Sequence, residues 1–405
     1  METARANILN RPRTARGAKA LLRAFVAVVI VAATIAAAEA PNGAAKSEIR
    51  ASNLTRMRWR VLGTRPLAMF YYFDDAAGLE SLKAHAPQMT LLGPQCFRID
   101  SAGFVHGEIP PVVLEIARRE GIALMPLVVN PGFDRKMAHA LLASPKAQER
   151  AVMYLAYLAQ RDDYVGWQLD LESIDPADKH LYTRFVERVA ARLHRDHRLV
   201  SVAVVPRFSD TYPDHRAAEF RTGEWGAPYD YRALGRAVDF LTLMTYGHHG
   251  GSSGPGPVAG YGWMKAALDY AVRRVPRSKL LLGIPFFGRE WVETTQGTTS
   301  RTLAYKDVKP LLASPGPRWD EHWRTTWFEV RQANGKRTAW FDDSRSLREK
   351  LNLMRAYNLR GFAAWRLGFE DPQFWPMAAQ FEKENLVGRK ERGRPVPGGS
   401  SGRSR

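Results

Sequence analysis

The chain of 405 residues holds one cysteine, Cys96, which excludes an internal disulfide framework and any multi-cysteine metal site. Its most extended apolar run, Ala24–Ala38, falls short of the roughly 20 residues that a membrane-spanning helix needs. There is no glycine-rich phosphate loop, no G-x-S-x-G elbow and no His/Cys pair at metal-ligand spacing, which removes the sequence grounds for a nucleotide-phosphate cradle, a serine hydrolase or a zinc site. His248-His249 falls in "YGHHGGSSGPGP". A bare pair in such a glycine-rich loop reads as solvated, so no metal and no cofactor is assigned.

Acids are scarce as well. Against 41 Asp and Glu stand 59 Lys and Arg, a formal charge of +18. Much of that excess lies at the ends: residues 1–50 hold eight Lys/Arg against three acids, and residues 386–405 six against one. The body carries no long basic block and no nucleic-acid recognition motif, so no nucleic-acid partner is assigned. Arg5, Arg11, Arg13, Arg16, Lys19 and Arg23 precede Ala24–Ala38, and Ala36 and Ala38 offer an A-x-A cleavage pattern. Residues 1–38 thus read as an export signal, cleaved or kept as an anchor that tethers the chain to a membrane. No Arg-Arg pair in that segment supports a twin-arginine signal. Residues 39–66 read as a linker, and the Gly-, Pro-, Ser- and Arg-rich residues 386–405 as a disordered basic tail. The expected location is the periplasm, the cell envelope or the medium.

What the body does have is rhythm. Apolar runs at 67–73, 89–93, 122–129, 165–171, 199–205, 238–246, 280–286 and 361–367 alternate with amphipathic helical stretches. Runs too apolar to alternate suit strands buried on both faces, as in a parallel sheet. Ser144-Pro145 and Asp175-Pro176 are N-cap and first-turn pairs for two of the helices. Eight strands alternating with helices predict an α/β fold, a (β/α)₈ barrel over 67–385, with a doubly wound open sheet as the alternative. Between about 289 and 343 the rhythm breaks. "TTWFEVRQANGKRTAWF" reads as a hairpin around Asn334-Gly335, which predicts a small α+β insertion after the seventh strand. Its aromatics Trp323, Trp327, Phe328, Trp340 and Phe341 either wall a groove or form the insertion's own core.

One strand carries unusual cargo. In "YVGWQLDLESID" (164–175), Gln168, Asp170 and Glu172 are two residues apart and so project to one face of a strand. Charges are rarely buried without a partner. Barrel enzymes place their catalytic groups at the C-terminal ends of the strands, which is where Asp170 and Glu172 fall. The competing reading is a structural pair that caps the next helix or binds an arginine, although Asp175 already fills the cap position.

"GWQLDLE" resembles the active-site strand of the chitinase-like enzymes of glycoside hydrolase family 18, whose signature is D-G-x-D-x-D-x-E. Gly166, Asp170 and Glu172 match it; Val165 and Gln168 stand where the first and second Asp would be. "LMTYGHHG" (243–250) resembles the sixth-strand M-x-Y-D segment, "LGIPFFGREW" (282–291) the seventh-strand segment, and "GFAAWRLGFEDPQFW" (361–375) the eighth strand. The likeness runs from about Leu67 to Phe381 and is nearest to a bacterial branch joined to polysaccharide deacetylase or glycosyltransferase modules and related to spore-cortex hydrolases. It implies a glycosidase acting on β-linked N-acetylglucosamine in chitin oligomers, peptidoglycan or poly-N-acetylglucosamine, by a substrate-assisted retaining mechanism. By that resemblance Glu172 is the general acid and base, Asp170 orients the acetamido N–H, and Tyr246 donates to the acetamido oxygen. Trp365 stacks under the sugar, and Gln168, Met244 and Asn130 join it in substrate binding. Gln168 cannot take a proton, and its amide is expected to donate to Asp170; Gly247 removes the carboxylate that follows the tyrosine in the family. Two other classes compete: a lectin-like barrel that binds glycan without turnover, and a binder of nucleic acid or another anionic polymer.

Overall fold

The computed structural model describes residues 53–64, 66–211, 224–310, 316–332 and 335–392. The export segment and the last residues of the basic tail lie outside the described residues. Residues 386–392, expected to begin that tail, continue the helix Phe374–Arg392.

The apolar runs form strands β1 (Leu67–Tyr72), β2 (Leu91–Pro94), β3 (Phe97–Ile99), β4 (Val105–Gly107), β5 (Ala123–Leu124), β6 (Leu127–Val129), β7 (Gly166–Asp170), β8 (Leu199–Val204), β9 (Phe240–Leu243) and β10 (Leu280–Pro285). After them come β11 (Gly288–Thr294), β12 (Gly297–Leu303), β13 (Arg318–Asp320), β14 (Thr325–Gln332), β15 (Gly335–Phe341) and β16 (Gly361–Trp365). Parallel neighbours run β6-β7-β8-β9-β10-β16-β1-β2-β5. β5 and β6 are two halves of one run, separated at Met125-Pro126. The first half pairs with β2 and the second with β7. Leu124 C=O accepts from Val165 N–H at 2.9 Å, and Pro126 C=O from Gln168 N–H at 3.0 Å. This one run joins both edges of the sheet, so the expected eight-stranded barrel is closed. A proline lacks the N–H for an unbroken ladder, which is why Pro126 splits the run.

The second strand differs from expectation. Leu91 and Leu92 face Ala123 and Leu124, whereas Phe97 and Arg98 face Val128 and Val129. It therefore holds one residue more than its neighbour across Gly93–Cys96, a bulge, and then folds back as the β3–β4 hairpin. Three-residue strands leave too short a pattern to be read in sequence.

Residues 54–63, inside the segment expected as a linker, are helical. Val61 is buried against Leu67, Met69, Leu91 and Met125 in the barrel interior, so this helix covers the end where the strands begin. Asp175 accepts from Ala177 N–H and Ser144 from Ala147 N–H, as their cap positions require.

The insertion is a five-stranded antiparallel sheet, β12-β11-β15-β14-β13. Gln332 faces Gly335 across the expected hairpin; its turn residues 333–334 lie outside the described residues. Gly335 is required because a Cβ there would stand 1.9 Å from the Glu293 carbonyl oxygen. Phe328 and Phe341 pack with Leu303 and Val308 as the insertion's core. Trp327 and Trp340 stack at 5.4 Å, and their neighbouring positions on β14 and β15 put them on the opposite face of that sheet.

Candidate active site

The site is built at the C-terminal end of β7. Alternation along Gly166–Asp170 turns Gln168 and Asp170 to the same side. Both are buried, and Glu172 follows two residues on, half-buried, where the strand has ended. Its backbone is gripped by a side chain. Asn130, just past β6, accepts from Glu172 N–H at 2.8 Å and donates to Glu172 C=O at 2.9 Å. β6 and β7 pair as far as Val129 and Asp170, so the Asn130 amide extends that ladder by one position in side-chain form. Ser173 then takes φ 55 and turns the chain away. From behind, Tyr229 donates to Leu171 C=O at 2.8 Å, and its ring meets Tyr182 edge-on at 5.7 Å. Asn130 is itself fully buried. This corrects its expected place among the sugar contacts: its amide is committed to holding Glu172.

Gln168 is also corrected. Its Nε2 donates to Thr242 Oγ1 on β9 at 2.9 Å, not to Asp170. Gln168 Oε1 and Asp170 Oδ1 are both buried and make no hydrogen bond within the protein.

Tyr246 lies beyond β9, past the last strand residue Leu243. Thr245 N–H bonds back to Leu243 C=O at 2.8 Å and Tyr246 N–H to Met244 C=O at 2.7 Å. These two tight turns carry the tyrosine over the barrel end. Gly283 on β10 makes room for it, because a Cβ there would lie 3.0 Å from the ring and 2.3 Å from Leu243 C=O. Met244 is buried at the root of this turn. Trp365 ends β16, half-buried, with its ring 5.4 Å from that of Tyr71. His248, expected in a solvated loop, is buried and stacked on Trp263 at 5.1 Å. Among the described residues no group of His, Cys, Asp and Glu is arranged to hold a metal ion.

Electrostatics tie these groups together. Burial lifts the carboxyls of Asp170 and Glu172 well above the ordinary carboxylate range, and the Asp170 charge lifts Glu172 further. Two acids so close titrate as a pair. Burial likewise raises the Tyr246 hydroxyl, with Tyr71, Asp170 and Glu172 adding to the rise. Burial also raises Tyr71, while hydrogen bonds to Thr242 and Gln168 oppose it and the Asp170 charge adds to it. The arrangement offers two carboxyls biased toward their protonated forms, one of them with an open acceptor oxygen, together with a tyrosine hydroxyl and an aromatic wall.

Sequence reasoning missed Tyr71, Thr242, Tyr182 and Tyr229. Tyr71 could have been found, since it shares the interior face of β1 with Leu67 and Met69 and is the one polar group among them. Tyr182 lay among the apolar positions of a helix and Tyr229 in the loop ahead of the next one, and neither carried a separate signal.

The sequence profile described as glycosyl hydrolases family 18 matches residues 132–370, which include the whole of β7 and the Tyr246 and Trp365 segments. The chain belongs to this family. It is a glycosidase. A glycosylase of Bacillus subtilis (strain 168), YvbX, is 26% identical over 313 residues, covering 75% of this chain and 88% of that protein. A cortical fragment-lytic enzyme of the same organism is 27% identical over 308 residues, covering 73% and 68%. Among solved structures, a chitinase from Chromobacterium violaceum ATCC 12472 superposes with a TM-score of 0.70 at 30% identity, covering 78% of this chain and 98% of that one.

Proposed function

We propose that this family 18 enzyme hydrolyses β-linked glycans containing N-acetylglucosamine, with the substrate's own acetamido group as nucleophile. The observation that carries the reading is the pair at the end of β7: two same-side acids held high in pKa, one clamped by its backbone and the other with a buried oxygen lacking a protein donor. Glu172, protonated at neutral pH by its surroundings, donates to the leaving oxygen and then draws a proton from water. Asp170 Oδ1 receives the acetamido N–H, which leaves the carbonyl oxygen turned toward the anomeric carbon. Tyr246 donates to that oxygen as charge develops on the ring that forms. Trp365, beside Tyr71, supplies the floor on which the sugar stacks.

The names of the relatives support two classes of acetamido glycan, chitin and spore-cortex peptidoglycan. The basic, apolar N-terminus supports export to the envelope, where the second class is found. Replacing Glu172 with Gln tests the assignment: hydrolysis of an N-acetylglucosamine oligomer falls by 10² or more, by loss of the acid. Unchanged turnover would remove Glu172 from the chemistry. Gln168 in place of a carboxylate favours one second reading, a glycan-binding barrel. That reading predicts equal binding by both proteins and turnover by neither.

A further inference from the structure

The closed end of the barrel, opposite the proposed catalytic mouth, carries a chemistry of its own. Trp59, on the helix that covers this end, is 63% exposed, with the Arg58 guanidinium over its ring at 6.0 Å. The helix is fixed to the barrel on both sides: Arg60 Nη1 donates to Gly121 C=O at 2.6 Å, and Arg360 Nη2 to Val61 C=O at 3.0 Å. Trp59 is therefore held outward on a rigid support.

Around it lie the loops that lead into the strands, and they are basic. Arg118 precedes β5, Arg195 precedes β8, Arg236 precedes β9 and Arg277 precedes β10, all exposed. Among the described residues none of these four is in an ion pair. Of the acids at this end, Glu120 pairs with Arg119, Asp162 with Arg161, Asp196 with Arg192 and Asp239 with His194, while Asp163 is exposed beside them. At the other end Asp74, Asp134 and Glu172 follow the strands, and Asp75 and Asp175 are each answered by an arginine, Arg366 and Arg135.

The first described helix and part of the last meet at the basic end. The described chain enters at the 54–63 helix, and Phe381 and Glu382 of the last helix line a cavity with Arg60. In sequence, the uncharged run Ala24–Ala38 precedes this end, and the basic residues 386–405 follow it.

We infer that the closed end is a docking surface for an anionic phospholipid bilayer, which holds the catalytic mouth away from the membrane and toward the glycan. A tryptophan flanked by arginines suits the headgroup layer, where the ring is half-wet and the cations meet lipid phosphates. Arginines in no ion pair keep their charge available to the surface potential, which acts within a Debye length. Among the described residues no helix is long and apolar enough to cross a membrane, so the described body would lie on the bilayer rather than in it.

The test uses the full chain with phosphatidylcholine vesicles made with and without phosphatidylglycerol, reading hydrogen exchange segment by segment. On the anionic vesicles at low salt, residues 54–63, 117–121 and 194–198 are expected to be protected, with protection lost at high salt. The mouth segments 131–136 and 172–178 should exchange as in free protein. The triple variant R118E/R195E/R236E, whose side chains are exposed and remote from Glu172, should hydrolyse glycan normally. It should bind anionic vesicles more weakly by roughly fivefold or more per charge reversed. Equal protection on neutral vesicles, protection of the mouth segments, or unchanged binding by the variant would overturn the inference. So would protection of the closed end by an oligonucleotide but not by vesicles.

Discussion

Replacing Asn130 with Ala probes how the enzyme aims Glu172. In the native chain one amide satisfies two main-chain groups, Glu172 N–H at 2.8 Å and Glu172 C=O at 2.9 Å, and Asn130 is fully buried. Truncation leaves both without that partner. Each unmet buried group costs about 1–3 kcal/mol, and partial access to water at the half-buried Glu172 lowers the sum, so the expected loss is about 2–4 kcal/mol. Urea unfolding followed by tryptophan fluorescence would show it as a lower midpoint with an unchanged slope. Catalysis should suffer separately. Once the ladder extension is gone, the Glu172 backbone relaxes, and a displacement near 1 Å costs roughly 10² in rate. The fall should appear in kcat, with KM little changed, because the sugar is held by other groups. A variant with native stability and native kcat would refute the clamp.

Other outcomes follow from the same site. Glu172→Gln should be more stable than the parent at pH 7. The folded carboxyl is raised, so above the ordinary glutamate value of about 4.3 the unfolded chain has lost a proton that the folded chain keeps. Parent stability therefore declines as pH rises through that window, and the glutamine variant escapes the decline. The two should converge below pH of about 4, as pH-dependent denaturation would reveal. Gln168→Asp places an ionisable group beside Thr242 and near Asp170, and should add an ionisation to the pH–rate profile; an unchanged profile would show that position 168 is not coupled to the reacting pair.

Most of the barrel could be read from the sequence because most of its buried strands are short, largely apolar runs that alternate with amphipathic helices. Where the reading fell short, a local feature interfered. Pro126 splits one strand in two, Gly93–Cys96 holds a bulge, and β3 and β4 are too short to show a period. The helix at 54–63 was hidden because a few apolar side chains, Met57, Val61 and Leu62, sit among arginines, and only tertiary burial makes them a face. In the site, Asp170 and Glu172 announced themselves by their i, i+2 spacing at a strand end. The partners of Gln168 and Asn130 did not. An amide's identity says that it will bond, but which carbonyl or hydroxyl lies within reach is decided by neighbours 74 and 42 residues away. His248 was misjudged for a related reason, since the indole that stacks on it comes from the following helix.

The proposed reaction depends on Asp170 and Glu172 cooperating with an N-acetyl group. It is tested most directly by paired substrates, one glycan oligomer fully N-acetylated and its counterpart of the same length with free amines, given to the parent enzyme. The proposal predicts that only the acetylated oligomer is cut, and that the first products keep the anomeric configuration of the bond broken. Comparable cleavage of the free-amine oligomer, or inversion at the anomeric carbon, would contradict it.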